Sequence, residues 1–271
     1  MEVRQSKPPI KKVGLALGGG AARGLAHIGV LQVLEREGIP IDMIAGTSIG
    51  ALIGTIYARG NDAAQTKKLA LDLIPKRFAF LIDPALPRTG LIRGRRLQST
   101  LRSTIGHITF EELKIPLACV ATDIDNGEEV VINHGPVWEA VWASSTIPLL
   151  MAVAKYQGRY LVDGGLVNPV PVSVLKEMGA DVIIAVSVPH RRNLGEVREP
   201  NILSVMMQTI YIANYRVAQS SLTGANIIIE PRVEHIAFTE FKRAEECIRL
   251  GGQAAQDAIP EIKSCIQAKA I

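Results

Sequence analysis

The sequence predicts an α/β protein: a mostly parallel central sheet flanked by helices, in a single domain with a helical C-terminal extension. Three observations carry this. Short aliphatic runs within 13–17, 41–45 and 181–188 have the character of strands covered on both faces. The first two pass through a glycine-containing turn into a segment of helical apolar spacing, the order expected of a right-handed parallel sheet. The chain has 271 residues, 48% of them hydrophobic, enough for one large core, and no shift in composition marks a second domain.

Residues 1–12 are polar and basic, contain Pro8 and Pro9, and lack the apolar centre of a signal peptide, so a flexible N-terminal tail is expected there. The strand at 13–17 leads into Gly18, Gly19, Gly20, Ala21, Ala22, Arg23 and Gly24. A helix follows from Leu25, with Ile28, Leu31, Val33 and Leu34 on its apolar side, and Gly38 and Pro40 end it. The strand at 41–45 runs into Ser48 and a helix to about Gly60, with another helix over 63–74. Between 75 and 91 prolines and bulky apolar residues lack a period, which predicts an irregular loop at the edge of the sheet.

Residues 116–124 and 128–133 read as a hairpin around Asp125, Asn126 and Gly127. A short helix at 137–145 stops at Pro148, and 151–155 with 159–162 form a second strand pair. After Asp163, Gly164 and Gly165 a turn feeds a helix to Met178 and the strand within 181–188. The α/β region is therefore assigned to 13–188. The extension, 189–271, comprises a helix over 202–222, a strand at 227–230, and two helices over 239–268 broken near Gly251 and Gly252. Ile202, Val205, Met206, Thr209, Ile210 and Ala213 form an i, i+3, i+4 stripe that is expected to pack into the core, with a lipid-contacting surface as the lesser alternative.

Composition narrows the function classes. No apolar run reaches the roughly 18 residues that span a bilayer, which together with the polar N-terminus predicts a cytoplasmic protein, with peripheral contact at the inner membrane face left open. Net charge is +4, a mild excess compatible with an anionic membrane surface; no nucleic-acid motif accompanies it, and no nucleic-acid partner is expected. Arg88, Arg93, Arg95, Arg96 and Arg102 alternate with leucines, either as a solvated helix face or as a basic patch near the site entrance. Cys119, Cys247 and Cys265 stand at no metal spacing and are read as small core hydrophobes; neither a metal nor a cofactor is expected. Oligomeric state is not legible.

The chemistry is concentrated in three stretches. Gly46-Thr47-Ser48-Ile49-Gly50 matches G-x-S-x-G, in which the glycines Gly46 and Gly50 allow a sharp strand-to-helix turn that projects the serine hydroxyl at a helix N-terminus. A capped βα turn would give the same letters. The glycine loop at 18–24 presents successive N–H groups as an anion site, for a phosphate or for the oxyanion of a tetrahedral intermediate. It lacks the Gly-Lys-Ser/Thr of a P-loop and the intact G-x-G-x-x-G of a dinucleotide loop. Asp163 precedes two glycines at a strand end, and its carboxyl acts on a serine only through direct contact and a raised pKa. His190 and His235 follow Asp163 but sit in polar stretches, His107 and His134 precede it, and His27 lies on the first helix in a packing or capping position. A histidine triad is therefore disfavoured.

Taken jointly, LALGGGAARGLAHIGVL at 15–31, GTSIGALIG at 46–54 and DGGLVNPVPV at 163–172 resemble the glycine loop, nucleophile motif and Asp-Gly-Gly motif of bacterial patatin-like phospholipases. The SSTIP segment at 144–148 is similar as well. The resemblance covers about 13–188 and implies an α/β fold, a Ser-Asp dyad without a catalytic histidine, and hydrolysis of lipid acyl esters. On the matching positions it makes Ser48 the nucleophile and Asp163 the base, and places Gly19, Gly20, Ala21 and Arg23 in the oxyanion loop and Gly164 and Gly165 in the Asp-Gly-Gly motif. Two positions depart: Ala21 stands where the family often has glycine, and Leu150 replaces an aromatic. The expected function is a serine acyl hydrolase acting on (lyso)phospholipids or related lipids. The alternatives are a lipid-sensing module and an acyltransferase or thioesterase on the same dyad.

Overall fold

The computed structural model describes residues 11–73, 90, 92–188 and 201–268; most of the expected tail, the loop at 75–89, Arg88 and His190 lie outside them. The described strands are β1 (Val13–Leu17), β2 (Met43–Thr47), β3 (Leu117–Asp123), β4 (Glu129–Ile132), β5 (Ala154–Tyr156), β6 (Arg159–Asp163), β7 (Val182–Val186) and β8 (Ile227–Ile229). The helices are α1 (Ala26–Arg36), α2 (Ile49–Ala58), α3 (Ala63–Leu73), α4 (Arg95–Ile105), α5 (Val137–Ser144), α6 (Val172–Glu177), α7 (Ile202–Ser221) and α8 (Ala244–Gln267).

The strands form one mixed sheet ordered β5-β6-β3-β2-β1-β7-β8, with β4 also paired to β3. The run β3-β2-β1-β7-β8 is parallel, and β4, β5 and β6 are antiparallel additions at one end. "Mostly parallel" thus holds for the centre of the sheet. The aliphatic runs lie there because both faces are covered. Val13, Leu15 and Leu17 of β1 pack with α1, α2 and α8 in the larger core, whereas Ala16 joins Val172 and Leu175 of α6 in a smaller core on the opposite face.

β8 pairs with β7, so the C-terminal region contributes a strand to the same sheet. Beyond it a single 3-10 turn, Phe241–Arg243, leads into α8, which runs unbroken through Gly251 and Gly252. The expected break is absent because these residues serve a helix crossing. A methyl group at Gly251 would overlap the Ala26 carbonyl oxygen, and one at Gly29 would overlap that of Ile248. α1 and α8 thus meet backbone to backbone, which the missing side chains permit. The hydrophobic pattern of α8 carries it across the two glycines.

The stripe on α7 also departs from expectation. Ile202, Val205 and Met206 are 81%, 51% and 44% exposed, and Thr209 and Ala213 are exposed too. The helix packs chiefly on the 3-10 turn Gly164–Leu166 that follows β6, through its other face. Of the three cysteines, Cys119 and Cys247 are buried and Cys265 is half-buried.

Candidate active site

The register of β3 brings two distant segments together. β2 pairs with β3 up to Thr47 opposite Val120, and β6 ends with Asp163 opposite Ala121, the next residue. Residues 119–122 of β3 also pair with β4. Since Cys119 and Val120 bond to both β2 and β4, while Ala121 and Thr122 bond to both β4 and β6, β2 and β6 share one edge of β3. They approach from opposite directions and stop end to end, one at Ser48 and the other at Asp163.

Ser48 sits on the turn into α2 at φ 56°, ψ −123°, a strained conformation for a residue with a Cβ. The flanking glycines allow the turn to close: a side chain at Gly46 would crowd Ala51, and one at Gly50 would overlap the Leu17 carbonyl oxygen. The Ser48 N–H donates to Ser144 Oγ of α5 at 2.8 Å, and Thr47 Oγ1 donates to the Asn168 carbonyl at 2.8 Å. The elbow is thereby tied to the SSTIP segment and to the turn after the Asp-Gly-Gly motif.

Asp163 is held as firmly. Its N–H donates to the Thr146 carbonyl at 2.8 Å, its carbonyl accepts from Thr122 Oγ1 at 2.9 Å, and its carboxyl accepts the Gly165 N–H at 2.8 Å. A side chain at Gly164 would strike the Val120 carbonyl, so glycine there lets the turn lie against β3. The residue keeps some accessible surface, but its carboxyl is set deep in the protein. That burial raises its pKa to about 6, against the opposing effect of the nearby Ser48 hydroxyl and of the Gly165 N–H.

Within the glycine loop the Gly19 N–H donates to the Pro169 carbonyl at 3.0 Å and the Arg23 N–H to that of Gly20 at 3.1 Å. Among the described residues no acceptor takes the Gly20 and Ala21 N–H groups. Ala21 lines both cavities at Ser48 and holds φ at 47°, the conformation that glycine adopts without strain. The buried guanidinium of Arg23 donates to the carbonyls of Ile236 and Glu234, fixing the loop to the segment before α8. His27 lies fully buried with Nε2 2.7 Å from the Gly18 carbonyl; burial lowers its pKa to about 4, so the neutral ring donates there and braces the loop from behind.

Ser48 opens on two cavities. The smaller is shared with Asp163 and roofed by Ile210, Tyr211 and Asn214 of α7; the Asn214 amide donates to the Gly165 carbonyl at 3.1 Å. The larger, of about 160 Å³, is apolar and walled by Leu97 and Leu101 of α4, Leu52 of α2, Ile147, Leu150 and Met151. Leu150, in place of an aromatic, faces this space. Leu97 and Leu101 of the basic segment therefore line the apolar cavity, while Arg95, Arg96 and Arg102 are exposed. Arg102 lies over the Trp138 ring at 4.9 Å. No described histidine lines either cavity; His235 pairs with Glu246 at the surface at 2.9 Å.

Ser144, Tyr211, Asn214 and His27 take parts at the site that the sequence did not assign to them. The SSTIP segment was the nearest signal for Ser144. For the others only their spacing along a helix was visible.

Fold and site together place the chain among α/β proteins that carry a serine on a strained strand-to-helix elbow beside a buried carboxyl group. The family model for patatin-like phospholipases matches residues 15–176. An NTE family protein of Mycobacterium tuberculosis is 38% identical over 204 residues, which cover 74% of this chain and 56% of that protein. Lysophospholipase NTE1 of Scheffersomyces stipitis is 30% identical over 271 residues, covering 88% of this chain and 17% of the yeast protein. The chain thus spans about half the length of the mycobacterial relative and a small part of the fungal one. The crystal structure of VipD from Legionella pneumophila shares the fold, with a TM-score of 0.61 at 14% identity over 94% of this chain and 67% of VipD. The chain belongs to the patatin-like phospholipase family.

Proposed function

We propose that the protein is a serine acyl hydrolase that cleaves fatty-acyl esters of (lyso)phospholipids or related lipids through an acyl-enzyme on a Ser48-Asp163 dyad. The observation that carries this is that a strained elbow serine and a buried carboxyl group, whose pKa is raised to about 6, face one cavity, beside a larger apolar one that also opens at the serine. Asp163 takes the Ser48 proton as Oγ attacks the ester carbonyl, and the Gly20 and Ala21 N–H groups receive the developing oxyanion. The carboxylic acid then protonates the leaving alcohol. A water molecule, deprotonated by Asp163, attacks the acyl-serine and releases the fatty acid, and the proton returns to Ser48.

The raised pKa suits both halves of the cycle. A carboxylate near pKa 4 is too weak a base, whereas one near 6 remains mostly ionised at neutral pH and binds a proton more readily in the intermediate. The larger cavity receives the acyl chain, its lining being apolar except for Ser48, Ser145 and Thr239. Among the described residues no helix is long and apolar enough to cross a membrane; action in the cytoplasm, with peripheral contact at an anionic inner membrane face, is part of the same proposal.

Ser48→Ala and, separately, Asp163→Asn are expected to abolish hydrolysis of a p-nitrophenyl acyl ester. A fluorophosphonate probe should label the wild type and not Ser48→Ala. Retained turnover in either variant would defeat the assignment.

A further inference from the structure

Helix α7 has two unlike faces. Met207, 7% exposed, lies on the inner side with Tyr211 and Asn214, whereas Ile202, Val205, Met206 and Ile212 are 81%, 51%, 44% and 51% exposed. At about 100° per residue these four fall on one side together with the exposed Thr209 and Ala213. That outer side changes along its length: the first three turns are apolar, and Arg216, Gln219 and Ser220 follow.

We propose that the outer face of α7 docks the protein on a lipid bilayer, with the N-terminal half of the helix lying in the interface and Ile202, Val205, Met206 and Ile212 below the headgroups. This deepens the acyl-hydrolase reading and rests on it in one respect: the bilayer is the phase that holds the substrate.

Three observations select a bilayer as the occupant. The inner side of the same helix roofs the cavity containing Ser48 and Asp163, so whatever covers the outer side lies about one helix diameter, roughly 10 Å, beyond that cavity. The charges are complementary to anionic headgroups. α7 has no acidic residue and carries Arg216, and α4, which walls the other cavity at Ser48, has no acidic residue and exposes Arg95, Arg96 and Arg102. Finally, α7 has an apolar half and a polar half and does not qualify to cross a membrane, as suits a helix that lies on the surface.

The test is flotation with vesicles of phosphatidylcholine alone and of phosphatidylcholine mixed with phosphatidylserine. It compares the wild type, Ser48→Ala, and the triple variant Ile202→Ser/Val205→Ser/Ile212→Ser. The wild type and Ser48→Ala should float equally, more strongly with phosphatidylserine present, and the triple variant should partition at least about tenfold less. The triple variant should keep the wild-type thermal midpoint and cleave a soluble p-nitrophenyl ester at the wild-type rate, while losing hydrolysis of phospholipid presented in vesicles. Equal flotation of the triple variant overturns the inference, as does a wild type that cleaves the soluble ester but does not float. A wild-type dimer in light scattering that the triple variant dissolves, without vesicle binding, assigns the face to a second copy and overturns it too. Failure of the hydrolase reading is separate: the protein floats and cleaves nothing.

Discussion

Ser48 and Ala21 are both held at positive φ, at 56° and 47°, which for a residue with a Cβ costs on the order of 1 kcal/mol. At Ser48 the strain serves the exposure of the hydroxyl. In the proposed reaction only the N–H of Ala21 is used, so Ala21→Gly should relieve strain and raise stability, read as a higher thermal midpoint, by up to about 1 kcal/mol after the greater chain entropy of glycine in the unfolded state is subtracted. A lowered midpoint with unchanged activity would contradict this. Asp163 makes a prediction in pH. Hydrolysis should fall as pH drops through about 6, where Asp163, the proposed base, becomes protonated. Its effect on stability runs the other way. The folded pKa lies above the unfolded value, so the native state holds the proton more tightly, and stability is lost as pH rises from about 4 to 6 and stays lost above that. Asp163→Asn should therefore be inactive yet more stable than the wild type near pH 8, by at most about 3 kcal/mol, with the gap closing toward about pH 4 in thermal melts. Ser48 was legible because glycines bracket it, and Asp163 because two follow it. Ser144 was not, since a serine within a helical pattern does not announce that its hydroxyl will receive the elbow N–H.

Among the elements, α8 shows how a local rule loses to packing. Paired glycines predict a helix break, but here Gly251 admits the backbone of α1. The two neighbours separate this cause from mere helix propensity. Gly251→Ala and Gly29→Ala should each destabilise by about 1–3 kcal/mol through overlap with a carbonyl. At Gly252 an added methyl would meet nothing nearer than 3.6 Å, so Gly252→Ala should be neutral or gain up to about 1 kcal/mol in helix propensity. Chemical denaturation of the three variants decides it; equal losses at 251 and 252 would reject the crossing as the cause. The centre strands β1, β2 and β7 were legible from their aliphatic runs, because strands covered on both faces have no polar side to encode. The stripe on α7 was equally legible as a face, but periodicity cannot say what a face meets, and its exposure emerged only from the fold.

At the level of the whole molecule, the region after 188 is woven into what precedes it. β8 extends the sheet beside β7, and Cys247, Ile248, Ala255, Ile259 and Ile262 of α8 are buried in the larger core. A chain ending at Val188 should accordingly fail to fold, giving no cooperative melt by circular dichroism; a folded, active fragment would show that the α/β region stands alone. The parallel centre and the flanking helices followed from the order of strands and helices in the sequence. The antiparallel end did not, because pairing partners of β3 depend on register rather than on any local pattern.

That register has a wider consequence. The strands that carry Ser48 and Asp163 stop on neighbouring residues of β3, with Thr47 opposite Val120 and Asp163 opposite Ala121, so the separation of the hydroxyl and the carboxyl is set by β3 and is indifferent to how much chain is looped out between them. Insertions in the connecting loops should leave the pair aligned, whereas one residue added inside β3 would slide the two strand ends past each other and turn side chains to the wrong face. The tolerance of this site to evolutionary remodelling is governed by a segment that takes no part in the chemistry.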